Sequence, residues 1–280
     1  SCNDAMMQIG AKMGATQFIK AQSLFNFGTR TGIDLPNEGA GIIHTKDSMG
    51  ETELACSAFG QGFTCTMIQE INAMCSVING GSYYQPHLVS EIKDSSGSTV
   101  KKFDPILMKQ TVSSEISADI RSYMQASVQE GTSGTSKVQG YSSGGKTGTA
   151  EKFPRGNGKY LVSFITFAPV DDPQLTVYVV VDEPNVENQE TGGYSMIISR
   201  KIMMEVLPYL NIPQTEEITD ELLQELELTR EDVENGRNAA LIKEKSETTE
   251  TDEYGNVISS GTTAETDEYG NVISSGTTAE

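Results

Sequence analysis

The chain has 280 residues, a formal net charge of −19 and 36% hydrophobic residues, which is room for one large domain or two small ones with part of the chain outside any core. The acidity is uneven: 18 acidic and 4 basic residues lie between Gln214 and Glu280, against 21 and 16 before them, and no basic stripe exists to neutralise phosphates, which excludes a nucleic-acid partner. No run of about 18 apolar residues predicts a membrane-spanning helix, and no charged segment followed by an apolar one predicts a signal peptide.

In chain order, Met6, Ile9 and Met13 recur at helical spacing, so a first helix follows Asn3, with Ser1 or Asn3 as its candidate cap. A second helix is predicted over 16–25. Pro36, Gly39 and Gly41 make 34–50 a turn-rich loop. After Gly60-Gln61-Gly62, residues 66–79 place Met67, Ile71, Met74, Cys75 and Ile78 on one face, and Gly80-Gly81 stops that helix. Residues 87–92 and 99–103, joined by Asp94-Ser95-Ser96-Gly97, read as a hairpin. A helix over 114–130 carries Ile116, Ile120, Met124 and Val128 on one stripe.

From Gly140 the pattern turns to strands: 143–152, 160–168 and 175–182. Their short connections favour antiparallel neighbours. The last of the three is apolar through its centre, which predicts a central strand. A helix over 195–207 ends the folded pattern before Pro208. Residues 211–245 form an acidic extension whose few leucines predict at most a marginal, weakly docked helix. Residues 246–280 read as a disordered tail, within which 251–265 and 266–280 are identical copies. The cysteines, Cys2, Cys56, Cys65 and Cys75, match no zinc spacing. They read as buried, reduced thiols, with a disulfide left open. No metal site is expected.

Two motifs carry chemistry. Ser1-Cys2-Asn3 is a Ser-x-Asn motif, and Gly145-Lys146-Thr147-Gly148-Thr149-Ala150-Glu151 puts a cation and hydroxyls beside small residues at the start of a strand. A carboxylate-bearing peptide laid along that strand would be held by Lys146 and Thr147. The same stretch, Gly140 to Thr147, fits the Walker A expression. That reading needs a buried strand before the loop and a helix after it. Val138-Gln139 is no such strand, and Gly148, Pro154, Gly156 and Gly158 leave no helix. A Lys-Thr-Gly tripeptide alone is commonly a surface turn. The ordered set is what separates this chain from that reading: Ser-x-Asn, Gly60-Gln61-Gly62, Asn79-Gly80-Gly81 with Pro86-His87-Leu88-Val89, then Lys146-Thr147-Gly148.

In that order the set resembles the class B penicillin-binding protein transpeptidases, over about residues 1–210. The resemblance implies an α+β fold, an α-β-α sandwich with an antiparallel central sheet of the serine β-lactamase and transpeptidase type, truncated at its N-terminus. It implies a peptidoglycan D,D-transpeptidase that crosslinks stem peptides ending in D-Ala-D-Ala through a serine acyl-enzyme. Such an enzyme needs no cofactor, is inhibited by β-lactams, works beside other cell-wall synthesis proteins and acts at the outer face of the cytoplasmic membrane, with its anchor upstream. Ser1 then matches the hydroxyl that relays protons to the leaving amine. Asn3 matches the amide that orients the catalytic lysine and binds the substrate backbone. Lys146 matches the charge for the terminal carboxylate, Thr147 and Thr149 the hydroxyls around it, and the Thr149 N–H one oxyanion-hole donor. Gly148 leaves room for the peptide along the strand.

The family's nucleophilic Ser-x-x-Lys precedes Ser-x-Asn and so is expected upstream of this chain. Ser90-Glu91-Ile92-Lys93 and Ser98-Thr99-Val100-Lys101 share the spacing but fall on the predicted hairpin, where i and i+3 point to opposite faces. The family's two earliest sheet strands are likewise expected to be missing, leaving a sheet edge unpaired. Other readings are a non-catalytic peptide-binding or scaffold fragment, and a β-lactamase-like hydrolase, for which no general base stands out.

Overall fold

The computed structural model describes residues 1–226 and 228–231, and two short strands at 265–266 and 272–274. Helix α1 (Asn3–Met13) starts from Cys2, whose carbonyl accepts from the Met6 N–H at 3.2 Å. Neither Ser1 nor Asn3 caps it, contrary to expectation: Asn3 is already the first helical residue and the cap position carries no side-chain bond. Gly14, at φ 76°, ends α1 and leads into α2 (Ala15–Leu24), a conformation that only glycine adopts cheaply. Helix α3 (Glu51–Ala58) was not foreseen. It is two turns long, and its place is set by α1, where a β-carbon on Gly10 would stand 2.6 Å from the Ala58 β-carbon.

Helix α4 (Met67–Ile78) begins with a capping box between Thr66 and Gln69, which satisfies two of the orphaned N–H groups reciprocally. Strand β1 (Ser82–Tyr84) follows, then the foreseen hairpin as the shorter strands β2 (Glu91–Lys93) and β3 (Thr99–Lys102), then β4 (Leu107–Gln110), which pairs antiparallel with β1. The β1–β4 pair escaped the sequence reading because both strands are short and joined across the hairpin. Helix α5 (Ser114–Gln129) is capped by the Ser113 hydroxyl, which accepts from the Ile116 N–H.

Strands β5 (Gly144–Glu151), β6 (Tyr160–Ala168) and β7 (Leu175–Asp182) form one antiparallel sheet in the order β5-β6-β7. Helix α6 (Gly193–Tyr209) covers one face, where Met203, Met204 and Leu207 meet Val138, Tyr141 and Ala168. Helices α4 and α5 cover the other, through Ile78, Met124, Ile165, Phe167 and Val170. This is the expected α-β-α layering. Only β6 is buried on both faces. Among the described residues β7, expected in the centre, pairs with β6 alone and is half-buried along most of its length.

Helix α6 continues through Pro208, beyond its expected end. A proline removes an N–H and crowds the preceding turn, and the helix ends one residue later, at Tyr209. The segment after Pro213 also departs from expectation. It runs back over the domain and ends in α7 (Asp220–Glu225), capped by Thr219, with Leu223 and Leu226 each only 4% exposed. The four cysteines are unpaired, and Cys2 and Cys65 are exposed, not buried as read from the sequence. Among the described residues no helix is long and apolar enough to cross a membrane. The tail lies largely outside the described residues. Within it β8 (Glu265–Thr266) pairs with β9 (Val272–Ser274) across the junction of the two repeats.

Candidate active site

Strand β5 pairs with β6 on one side and has no strand on its other side among the described residues. Strand alternation sends Lys146 and Gly148 to the face shared with Ser163, Ile165 and Tyr178, and Thr147 and Thr149 to the α6 face. The open backbone edge of β5 runs between the two sets. At that edge the start of α1 approaches. The Lys146 ammonium donates to the Ser1 hydroxyl oxygen at 2.6 Å and to the Thr147 carbonyl at 2.8 Å, bringing together residues 145 positions apart. Partial burial of the ammonium lowers the Lys146 pKa below its ordinary value, because desolvation disfavours the charged form. No carboxylate contributes to the shift, so the charge is left for a ligand to neutralise.

Asn3 is exposed at the first residue of α1 and makes no hydrogen bond to Lys146 among the described residues. Thr149 is exposed on the strand, while Thr147 is half-buried towards the start of α6. There a β-carbon on Gly192 would lie 3.7 Å from the Thr147 methyl. Gly192 therefore lies against that side of the strand.

The glycines before Lys146 are required by packing. A β-carbon on Gly145 would stand 2.3 Å from the Phe164 ring, and one on Gly144 2.5 Å from the Phe167 ring. Both rings are fully buried. Gly145→Ala is expected to cost about 1–3 kcal/mol through overpacking, read as a lowered thermal midpoint, and Gly145→Ala with Phe164→Leu is expected to recover part of it. A double variant no more stable than Gly145→Ala alone would count against this packing account.

Every Ser-x-x-Lys match in the strand region is spoiled by geometry. Ser90–Lys93 and Ser98–Lys101 lie on the β2–β3 hairpin. A third match, Ser143–Lys146, went unnoticed because it overlaps the Lys-Thr-Gly motif. Ser143 is 1% exposed just before β5, and a three-residue step along a strand points the two side chains apart. The Walker-type stretch leads into β5, so no helix N-terminus stands where phosphates would sit. His87 is structural, its Nδ1 lying 3.0 Å from the Val89 carbonyl. Arg155, at the tip of the β5–β6 hairpin, reaches the Gln61 side chain at 3.5 Å, so this tip leans towards the Gly60-Gln61-Gly62 loop.

Residues 1–204 match the family described as the penicillin binding protein transpeptidase domain. The chain belongs to that family. Among curated relatives, stage V sporulation protein D of Bacillus subtilis is 43% identical over 218 residues, 76% of this chain and 33% of its own length. The probable peptidoglycan D,D-transpeptidase PenA of Neisseria gonorrhoeae is 26% identical over 223 residues, 78% of this chain and 36% of its own. Penicillin-binding protein 3 of Mycobacterium tuberculosis, solved with aztreonam, superposes with a TM-score of 0.66 at 24% identity, covering 78% of this chain and 51% of that one. A peptidoglycan synthetase from Bifidobacterium adolescentis gives 0.69 at 24% identity, covering 79% and 40%. The penicillin-binding transpeptidase fold is thus shared across the sandwich, while the chain spans about a third of the length of the curated relatives it matches.

Proposed function

We propose that this chain forms the C-terminal part of the catalytic domain of a peptidoglycan D,D-transpeptidase. The observation that carries the reading is the Lys146–Ser1 contact at the open edge of β5. A stem peptide adds to that edge as a further strand, with its terminal carboxylate on Lys146, Thr147 and Thr149. A serine on an upstream helix, outside these residues, attacks the penultimate D-Ala carbonyl. The lysine of the same helix accepts the serine proton, the new ester forms as the amide bond breaks, and terminal D-Ala leaves with that proton, delivered through Ser1. Asn3 orients that lysine. The Thr149 N–H helps to hold the oxyanion. An acceptor amine on a second stem peptide then displaces the serine and releases the crosslink. In this reading β-lactams trap the same serine, the domain sits outside the cytoplasmic membrane, and other cell-wall synthesis proteins are its partners.

The deciding test is intact mass before and after penicillin. The natural protein should be heavier than the 30.2 kDa of this chain and gain one drug molecule. The 280-residue chain alone should gain none, and an adduct on it would overturn the assignment of the nucleophile.

The lowered Lys146 pKa sets a pH dependence. Carboxylate binding needs the ammonium, so affinity for a D-Ala-D-Ala peptide is full near neutrality and is lost as pH rises through the Lys146 pKa, earlier than an ordinary lysine would lose it. A bound carboxylate favours the ammonium and shifts the loss upward. Lys146→Arg should remove the alkaline limb. Affinity that stays flat through the ordinary lysine range would remove Lys146 from carboxylate binding.

A further inference from the structure

Strand β5 is held by a ladder on one side only, and that ladder begins at the Gly144–Phe167 pair. Residues 140–142, which lead into it, are tied instead to the segment after α6. The Tyr141 hydroxyl donates to the Ile212 carbonyl at 2.9 Å, and the Thr215 and Glu216 N–H groups both donate to the Gly140 carbonyl, at 2.9 and 3.1 Å. The Ser142 N–H donates to the Thr215 hydroxyl oxygen at 2.8 Å. That hydroxyl donates in turn to the Ser142 hydroxyl oxygen at 3.3 Å, which also accepts from the Val170 N–H at 3.0 Å. One chain of hydrogen bonds therefore joins the segment, the start of β5 and the end of β6.

Apolar contacts close over it. Ile212 and Leu228 pack on the Val138–Tyr141 core, and Leu223 and Leu226 are buried. Gly140 holds φ +80°, and a β-carbon there would meet the Gln214 amide at 2.9 Å. A helix of six residues is unstable alone, so α7 exists because it docks. The segment that supplies these contacts, from Ile212 onward, lies beyond residue 204, where the family match ends.

We propose that residues 212–226, with Leu228, are a strap that positions the strand bearing Lys146, with Thr215 as its positioning residue. Lys146 lies two residues inside a ladder whose open end is the strapped one. An edge strand frays from an unanchored end, and fraying there moves the ammonium away from Ser1. Thr215 acts through Ser142 and touches no substrate. The inference concerns the same site as the proposed transpeptidase, but its test does not use acylation, so either reading fails without the other.

The test compares the full-length natural protein with its Thr215→Ala and Thr215→Ser variants. Hydrogen exchange is followed across 141–151, with the centre of β6 as reference, and the Lys146 Nζ titration by nuclear magnetic resonance. Thr215→Ala is expected to speed exchange at the start of β5 by about three- to tenfold, the scale of one net hydrogen bond, with β6 unchanged and the Lys146 titration moved up towards that of an ordinary lysine. Thr215→Ser, which keeps the hydroxyl, restores both. Ending the chain after Pro213 should enlarge both effects. Unchanged exchange and titration in Thr215→Ala would overturn the proposal. Faster exchange spread evenly over β5, β6 and α6 with an unmoved titration would do so as well, since that is loss of stability without loss of position.

Discussion

Replacing Lys146 with methionine is expected to slow acylation of the complete transpeptidase by benzylpenicillin about a hundredfold, the scale of deleting one partner of a desolvated charge pair. Methionine keeps the length and apolar stem of lysine and removes the ammonium that meets the Ser1 hydroxyl at 2.6 Å. β-Lactams of this class and stem peptides both present a carboxylate, so both should suffer. Among the described residues no carboxylate pairs with the Lys146 ammonium, so its loss leaves none of them without a partner. Stability should therefore hold, or rise slightly, while acylation falls. Stopped-flow acylation with a fluorescent penicillin, read beside the thermal midpoint, separates the two. Acylation within about twofold of the parent at an unchanged midpoint would show that the carboxylate is held elsewhere.

Replacing Gln69 with leucine is expected to cost about 3–5 kcal/mol, more than most core truncations, although the volume barely changes. Gln69 is fully buried at the start of α4. Its amide nitrogen lies 3.2 Å from the Asn26 carbonyl, 2.7 Å from that of Thr29 and 2.8 Å from that of Ala40, and its oxygen accepts from the Thr66 N–H at 2.8 Å. Two N–H protons are shared among three carbonyls. Leucine would take the side-chain partner from the Thr29 and Ala40 carbonyls and the Thr66 N–H, at about 1–3 kcal/mol for each that water cannot reach, while the Asn26 carbonyl keeps its bonds from the Thr29 N–H and hydroxyl. At about 2–4 °C per kcal/mol for a domain of this size, the thermal midpoint should fall by about 6–20 °C. Proteolysis should open first within residues 26–42, the loops that Gln69 gathers. A fall of less than about 3 °C would mean that these carbonyls reach water.

The two predictions differ in how far the sequence foretold them. Lys146 stands out because its Lys-Thr-Gly follows Ser-x-Asn and Gly-Gln-Gly in order, where the tripeptide alone would read as a surface turn. Gln69 looks like a capping-box residue, and its cap is legible from Thr66 three positions before it. Its three carbonyl partners are 29 to 43 residues away, and nothing local announces them. Thr215 is similar: a threonine in an acidic stretch reads as solvated until Ser142 is placed beside it. The approach of Gly192 to Thr147 likewise needs the start of α6 to lie beside β5.

By itself the sequence determined the elements whose causes are local. Helices α4 and α5 follow from apolar residues three and four apart and from caps at their first turns. The β5-β6-β7 order follows from strand-like runs joined by connections too short for anything but antiparallel return. The ordered motifs placed the chain in its family. Only the tertiary structure decided what depends on long-range pairing: the docking of α7 under its leucines, the meeting of Ser1 with Lys146, and the missing cap on α1. The reason is one of range. Periodicity, capping and turn chemistry act within a few residues. Burial, edge pairing and the pKa of Lys146 depend on which distant surface closes over them, and only the folded chain specifies that surface.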